Sequence, residues 1–132
     1  MKRHYICVAL FVLFFVISGL ITLVRAAEII YAEGTVQLKS AQGQTWQSAT
    51  KGTRVNIGDS IRTARHSRAD VALDDGKKNV IRIDPSTLVV LDSISAGQID
   101  RIDLSRGKIY SNLESIKAGL TFEVSTPSAV AG

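Results

Sequence analysis

Acidic side chains are the first candidates for chemistry in this chain, with Asp74, Asp75, Asp84, Asp92, Asp100 and Asp103 spaced along its second half. A calcium loop needs oxygens at fixed alternate positions around a glycine. Here Asp74-Asp75-Gly76 runs straight into Lys77 and Lys78, which repel a cation. Most of these aspartates adjoin turn residues, where an Asp side chain bonds its own backbone. They read as turn-makers. His66 is the only histidine beyond His4, and Cys7 is the only cysteine. A zinc site needs several such ligands together, so the sequence assigns no metal. As a general base His66 needs a nucleophile in reach; Ser60, Ser67 and Ser111 are available, without a G-x-S-x-G elbow to present any of them. The Gly52 to Gly58 interval lacks the Lys-Ser/Thr that ends a phosphate loop. The sequence therefore names no catalytic residue and no cofactor.

Arginines offer binding rather than catalysis. Arg62, Arg65 and Arg68 fall within seven residues, and guanidinium groups so grouped can hold a phosphate or carboxylate. They form the candidate anion- or partner-binding group, against the plainer reading of a charged, solubilising turn. Trp46, Tyr110 and Phe122 lie far apart in sequence, and core packing is the expected role for each.

These residues follow a long apolar run, Tyr5 to Val24. Twenty residues in a helix span roughly 30 Å, a bilayer's hydrocarbon thickness. Lys2, Arg3 and His4 precede the run and Arg25 follows it. The excess of positive charge before it keeps the N-terminus in the cytoplasm and exports the remainder. Residues 1–26 read as a signal peptide or an N-terminal transmembrane anchor, the inner membrane being a partner of residues 5–24 if they stay. The net charge of +4 belongs mostly to this leader: without Lys2, Arg3 and Arg25 there remain 13 basic and 12 acidic residues. A near-neutral domain has no electrostatic footprint for nucleic acid. It also has no disulfide, and about a hundred residues suffice to fold by burial alone.

Residues 28–132 carry no helical period. They show short runs at period two bounded by turn residues, the pattern of half-buried strands. Strands are expected near 29–38, 46–49, 54–56, 60–63, 69–73, 80–83, 87–91, 99–104, 108–113 and 120–124. Ala69, Val71 and Leu73 share one face, as do Ile81 and Ile83, and as do Leu120, Phe122 and Val124. The period slips at Asp100-Arg101, where a bulge or strand end belongs. Turns fall at Gly43, Gly52, Gly58-Asp59, Asp75-Gly76, Pro85, Gly97 and Gly107. Residues 111–118 hold one helical pair, Leu113 and Ile116, and read as a loop. The fold class is all-β, a solenoid-like or sandwich-like module behind one hydrophobic N-terminal helix.

The ordered series Gly34-x-Val36, Trp46-x-x-Ala49, Gly52-x-x-Val55-x-x-Gly58-Asp59-x-Ile61-x-Thr63, Ser67-Arg-Ala-Asp-Val71-x-Leu73-x-Asp75-Gly76, Thr87-x-Val89, Leu104-x-x-Gly107-Lys108 and Phe122-x-Val124-x-Thr126-Pro127 resembles the FecR-type periplasmic domain. The resemblance covers about residues 30–132. It implies a non-enzymatic envelope module, located in the periplasm or on the outer side of the inner membrane. Such a module serves as a scaffold for an envelope protein or a cell-wall or surface polymer. In the iron-uptake regulators of this kind the domain relays transporter status to a sigma factor. Here only Met1 to His4 precede the apolar run, so an accessory signal-relay role through a partner is the alternative. An envelope polysaccharide hydrolase is the alternative of a different class. Family members continue beyond a Thr-Pro…Ala-Val-Ala-Gly segment into a further strand pair, so an incomplete C-terminus is expected.

Overall fold

The computed structural model describes residues 27–95, 98–114 and 121–127. The apolar leader, the Gly97 turn, residues 115–118 of the expected loop and the last five residues lie outside the described part. Among the described residues no helix is long and apolar enough to cross a membrane.

The chain forms β1 (Ala27–Glu33), β2 (Val36–Lys39), β3 (Gln47–Ser48), β4 (Arg54–Val55), β5 (Ser60–Thr63) and β6 (Arg68–Ala72). It continues with β7 (Asn79–Ile83), β8 (Leu88–Ser95), β9 (Gln98–Arg106), β10 (Ile109–Leu113) and β11 (Glu123–Ser125). They build two sheets, the first in the order β10-β7-β6-β1-β4 and the second in the order β11-β9-β8-β5-β2-β3. The all-β expectation holds. The stretch expected as one strand over 29–38 is two strands in different sheets, because Gly34 takes φ 72° and turns the chain.

That turn recurs. β1 and β2, β5 and β6, β7 and β8, and β9 and β10 are four ribbons, each bent so that one half lies in each sheet. Every bend carries a residue in the left-handed region: Gly34, His66 (φ 56°), Ser86 (φ 57°) and Gly107 (φ 94°). The bends stack. Ala64 N–H donates to Thr35 O (3.1 Å), Ser86 N–H to Ala64 O (3.1 Å) and Asp84 N–H to Lys108 O (3.0 Å). Three buried hydroxyls tie the stack from inside. Thr35 N–H donates to Ser67 Oγ (2.9 Å), and Thr63 Oγ1 donates to Asp84 O (2.6 Å). Thr87 Oγ1 accepts from Lys108 N–H (3.0 Å). Backbone groups at a tight corner cannot all pair in a ladder, and buried unpaired groups are costly; these hydroxyls supply the missing partners.

Period-two alternation sends one set of side chains into a single core between the sheets. Ile29, Val71, Ile81 and Ile83 come from the first sheet, and Val36, Ile61, Val89, Leu91 and Ile102 from the second. Phe122 packs against this core, but Val124 stays exposed on β11, which among the described residues is the last strand of its sheet. The slip expected at Asp100-Arg101 is present: Ser93 faces Arg101 while Ile94 faces Ile99, which leaves Asp100 without a counterpart in the register.

A second bulge matters more for function. In β1, Ile29 faces Val71 but Tyr31 faces Asp70, so Ile30 is the extra residue. An extra residue reverses the facing of everything after it. Ala27 and Ile29 point into the core, and so does Ala32, whereas Tyr31 points outward.

Candidate binding site

The bulge at Ile30 sets Tyr31 at one end of a row across the outer face of the first sheet. Tyr31 pairs with Asp70, Asp70 with Arg82, and Arg82 with Tyr110. Asp70 and Arg82 look outward because Ala69, Val71, Ile81 and Ile83 are buried on the other side of the same strands. Four strands thus present an aromatic ring, a carboxylate, a guanidinium and a second aromatic ring in register.

The two central groups are locked together. Arg82 Nε donates to Asp70 Oδ1 (2.9 Å) and Arg82 Nη2 to Asp70 Oδ2 (3.0 Å). This fork-on-fork geometry is the strong form of an ion pair. The hydrogen bonds and charge of Asp70, with a smaller contribution from Asp84, raise the Arg82 pKa above the ordinary arginine value.

Each tyrosine is held by a cation in the adjacent row. The Arg68 guanidinium lies 5.4 Å from the Tyr31 ring centre, and Lys108 Nζ lies 4.8 Å from that of Tyr110. Cations are attracted to the negative face of an aromatic ring. Tyr31 Oη donates to Glu33 (2.9 Å), and Arg68 Nη2 donates to the same carboxylate (3.1 Å). The adjacent Tyr31, with Glu33 as counter-charge, raises the Arg68 pKa, and the adjacent Tyr110 does the same for Lys108. The tyrosines remain 40% and 50% exposed. Beside Tyr110 a half-open depression of about 320 Å³ is lined by Asp70, Val80, Arg82, Ser111 and Asn112.

The expected arginine group is spread out. Arg62 lies on β5 in the second sheet, where its guanidinium sits 4.1 Å from the Trp46 ring centre and Nε donates to Gln37 (2.8 Å). Lys39 approaches the same ring at 5.2 Å. Arg68 lies on β6 in the first sheet, and Arg65 is exposed in the bend between them. Arg62 and Arg68 therefore leave opposite outer faces of the sandwich. Two of the aromatic expectations also change. Phe122 packs on the core, whereas Trp46 is half-buried under two cations and Tyr110 is exposed.

Turn residues occupy structural places. Gly52, Gly58 and Gly107 have positive φ (90°, 83° and 94°). Asp59 is buried, accepting from Ala41 N–H (3.0 Å) and Asn56 N–H (2.8 Å). In the Asp75-Gly76 turn the positive φ falls on Lys77, and Asp74 accepts from Lys78 and Asn79 N–H groups. Ser67, the serine nearest His66, is 2% exposed and spends its hydroxyl on Thr35 N–H and Arg65 O. Among the described residues no group of three His, Cys, Asp or Glu side chains is placed to hold a metal ion.

Sequence reasoning passed over Tyr31 and assigned Tyr110 to the core. The signal present was the outward alternation of Asp70 and Arg82; the missing part was which strands lie side by side.

Comparison with known proteins gives one match. The family model described as FecR protein matches residues 59–132, more than half of the chain, and so includes Asp70, Arg82 and Tyr110 while Tyr31 lies before it. No curated protein and no solved structure matches. With its Gly-Asp and Gly-Lys turns and its Arg-Ala-Asp strand now placed on one bent-ribbon sandwich, the chain belongs to the FecR family.

Proposed function

We propose that this protein is a non-enzymatic binding module of the bacterial envelope, holding a protein or polymer partner against the outer face of its first sheet. FecR proteins are a regulatory, non-enzymatic family whose domains generally lie in the periplasm as part of membrane regulators. The observation that carries the reading is the Tyr31–Asp70–Arg82–Tyr110 row: two exposed tyrosines on a rigid sheet, separated by an ion pair already fixed. Exposed aromatics beside prearranged polar groups are the usual anchors of recognition surfaces. In this reading residues 5–24 carry the domain to the far side of the inner membrane, as a cleaved signal or as an anchor. The regulatory character of the family favours a second reading in the same place, an accessory relay that passes occupancy of this face to a membrane partner.

Site-specific photo-crosslinking of the full chain in intact cells tests the proposal. A crosslinker at position 110 is expected to capture an envelope protein or polymer, and one at position 51, on the exposed Lys51 turn, is not. Equal capture from both positions, or none from position 110, overturns the assignment of this face.

A further inference from the structure

We infer that the outer face of the first sheet binds a short, uncharged oligosaccharide, an inference that rests on the binding-module reading above and names its ligand class. The first argument is charge. Around the tyrosine row Glu33 pairs with Arg68 and Asp70 with Arg82, and the Asp84 carboxylate acts by its charge on both Arg82 and Lys108. These pairs cancel at close range, so the face has no net field to attract a polyanion or polycation. The free cations that an acidic polymer would need are already committed to the carboxylates and the tyrosine rings.

The second argument is size. Three interstrand spacings separate Tyr31 from Tyr110, about 14 Å, and the five residues of β10 run about 17 Å. The patch framed by the two tyrosines and β10 is thus on the order of 240 Å², well below the ~800 Å² that a stable protein interface takes from each partner. A linear oligosaccharide, one ring on each tyrosine and its middle over the ion pair, matches that length.

The third argument is the mixture of groups. A sugar ring offers a C–H face and a rim of hydroxyls that both donate and accept. The tyrosine rings offer the apolar surface, each pinned by its cation and about half exposed. In the depression beside Tyr110, Val80 forms an apolar patch, Asp70 accepts, Arg82 donates, and the Asn112 amide does both. An apolar surface with a few fixed polar groups is the general pattern of a small-ligand site.

Isothermal titration of the full chain, in detergent if the leader is retained, tests this with four probes: cellotetraose and N-acetylated chitotetraose as neutral chains, tetragalacturonate as an anion and the chitosan tetramer as a cation. The expected result is saturable binding of a neutral tetraose whose Kd changes less than about twofold between about 20 mM and about 500 mM salt. Tyr110→Ala is expected to weaken it about tenfold or more and Tyr31→Ala to weaken it also, while Arg62→Ser leaves it unchanged. Both tyrosines are exposed, so the variants should fold, and near-ultraviolet circular dichroism of the Trp46 environment checks that they do. Failure to bind either neutral chain overturns the inference. So does binding of the charged probes alone, lost at high salt, or neutral binding that survives the double tyrosine variant. If position 110 still crosslinks a protein while both neutral sugars are silent, the sugar inference falls and the binding module stands. If neither occurs, both fall.

Discussion

Gly107 and Gly52 make the same backbone demand in different surroundings. Both sit at φ near 90°, where an L side chain costs about 1–2 kcal/mol. An added Cβ at Gly52 meets nothing within 4 Å, whereas at Gly107 it runs into Thr87, with Cα at 2.6 Å and Cβ at 2.7 Å. Gly52→Ala should therefore cost about 1 kcal/mol, backbone strain alone. Gly107→Ala should cost about 3 kcal/mol or more, since the Thr87 backbone must also shift. Urea midpoints of the two variants check this, and equal losses would mean that the bend at Gly107 is not held against Thr87. Tyr110 gives a pH-dependent case. Lying against the Lys108 ammonium, it raises the Lys108 pKa above the ordinary lysine value. A raised folded pKa contributes stability that is complete below the unfolded value and is lost as pH rises through the folded one. Tyr110→Phe should therefore lose more stability relative to the parent at about pH 8 than at about pH 11. Denaturant unfolding at both pH values measures it, and a pH-independent difference would remove the Lys108–Tyr110 link.

At the scale of elements, the four bends carry the architecture, and each couples a left-handed residue to a buried hydroxyl or a backbone bond of its neighbour. Thr87 Oγ1 accepts from Lys108 N–H and lies 3.2 and 3.3 Å from Pro85 O and Lys108 O. Thr87→Val keeps the shape but strands the Lys108 amide, a loss of about 2 kcal/mol. The Lys108 amide should then exchange with solvent faster than those of the β6–β7 ladder, by hydrogen-exchange NMR; unchanged protection would mean another group replaces the hydroxyl. Ser86 tests the opposite sign. It holds φ 57° without being glycine, so Ser86→Gly should raise stability by roughly 0.5–1 kcal/mol, read as a higher melting temperature. Much of this level was legible in the sequence. Alternation of Ala69, Val71, Ile81 and Ile83 with Asp70 and Arg82 sets both the core face and the outward ion pair of one hairpin. What was not legible depends on single residues. Gly34 splits an apparently continuous strand between sheets, and one extra residue, Ile30, turns Tyr31 from the core to solvent. Period two cannot register an insertion that leaves both flanks alternating. Nor can it say that β10, some eighty residues after β1, ends three strands away from it in the same sheet. The arginine spacing misled for a related reason: the bend at Ala64–Ser67 sends Arg62 and Arg68 to different sheets.

For the whole molecule, the bent ribbons mean that neither sheet is a separable layer. Each ribbon contributes one strand to either sheet, so loosening one sheet removes half of every ribbon from the other. The core is likewise shared, with Ile81 and Ile83 of the first sheet packed in one cluster with Ile61, Val89 and Leu91 of the second. A frame built this way should unfold in a single step, as small domains with one core commonly do. Trp46 is the natural probe of the second sheet, being the only tryptophan and stacked there on Arg62. Far-ultraviolet circular dichroism reports both sheets together. In urea the two signals should give coincident transitions. Ile81→Ala, a fully buried truncation in the first sheet, should cost about 3–4 kcal/mol. It should move the Trp46 transition by the same amount as the circular dichroism, although Trp46 lies on the other sheet. A Trp46 midpoint that stays in place while the dichroism shifts would show two independent layers. The tyrosine row would then rest on a sheet that can loosen by itself. Coincidence instead means that the strands bearing the row come apart only when the core does, so the row keeps its register for as long as the molecule is folded.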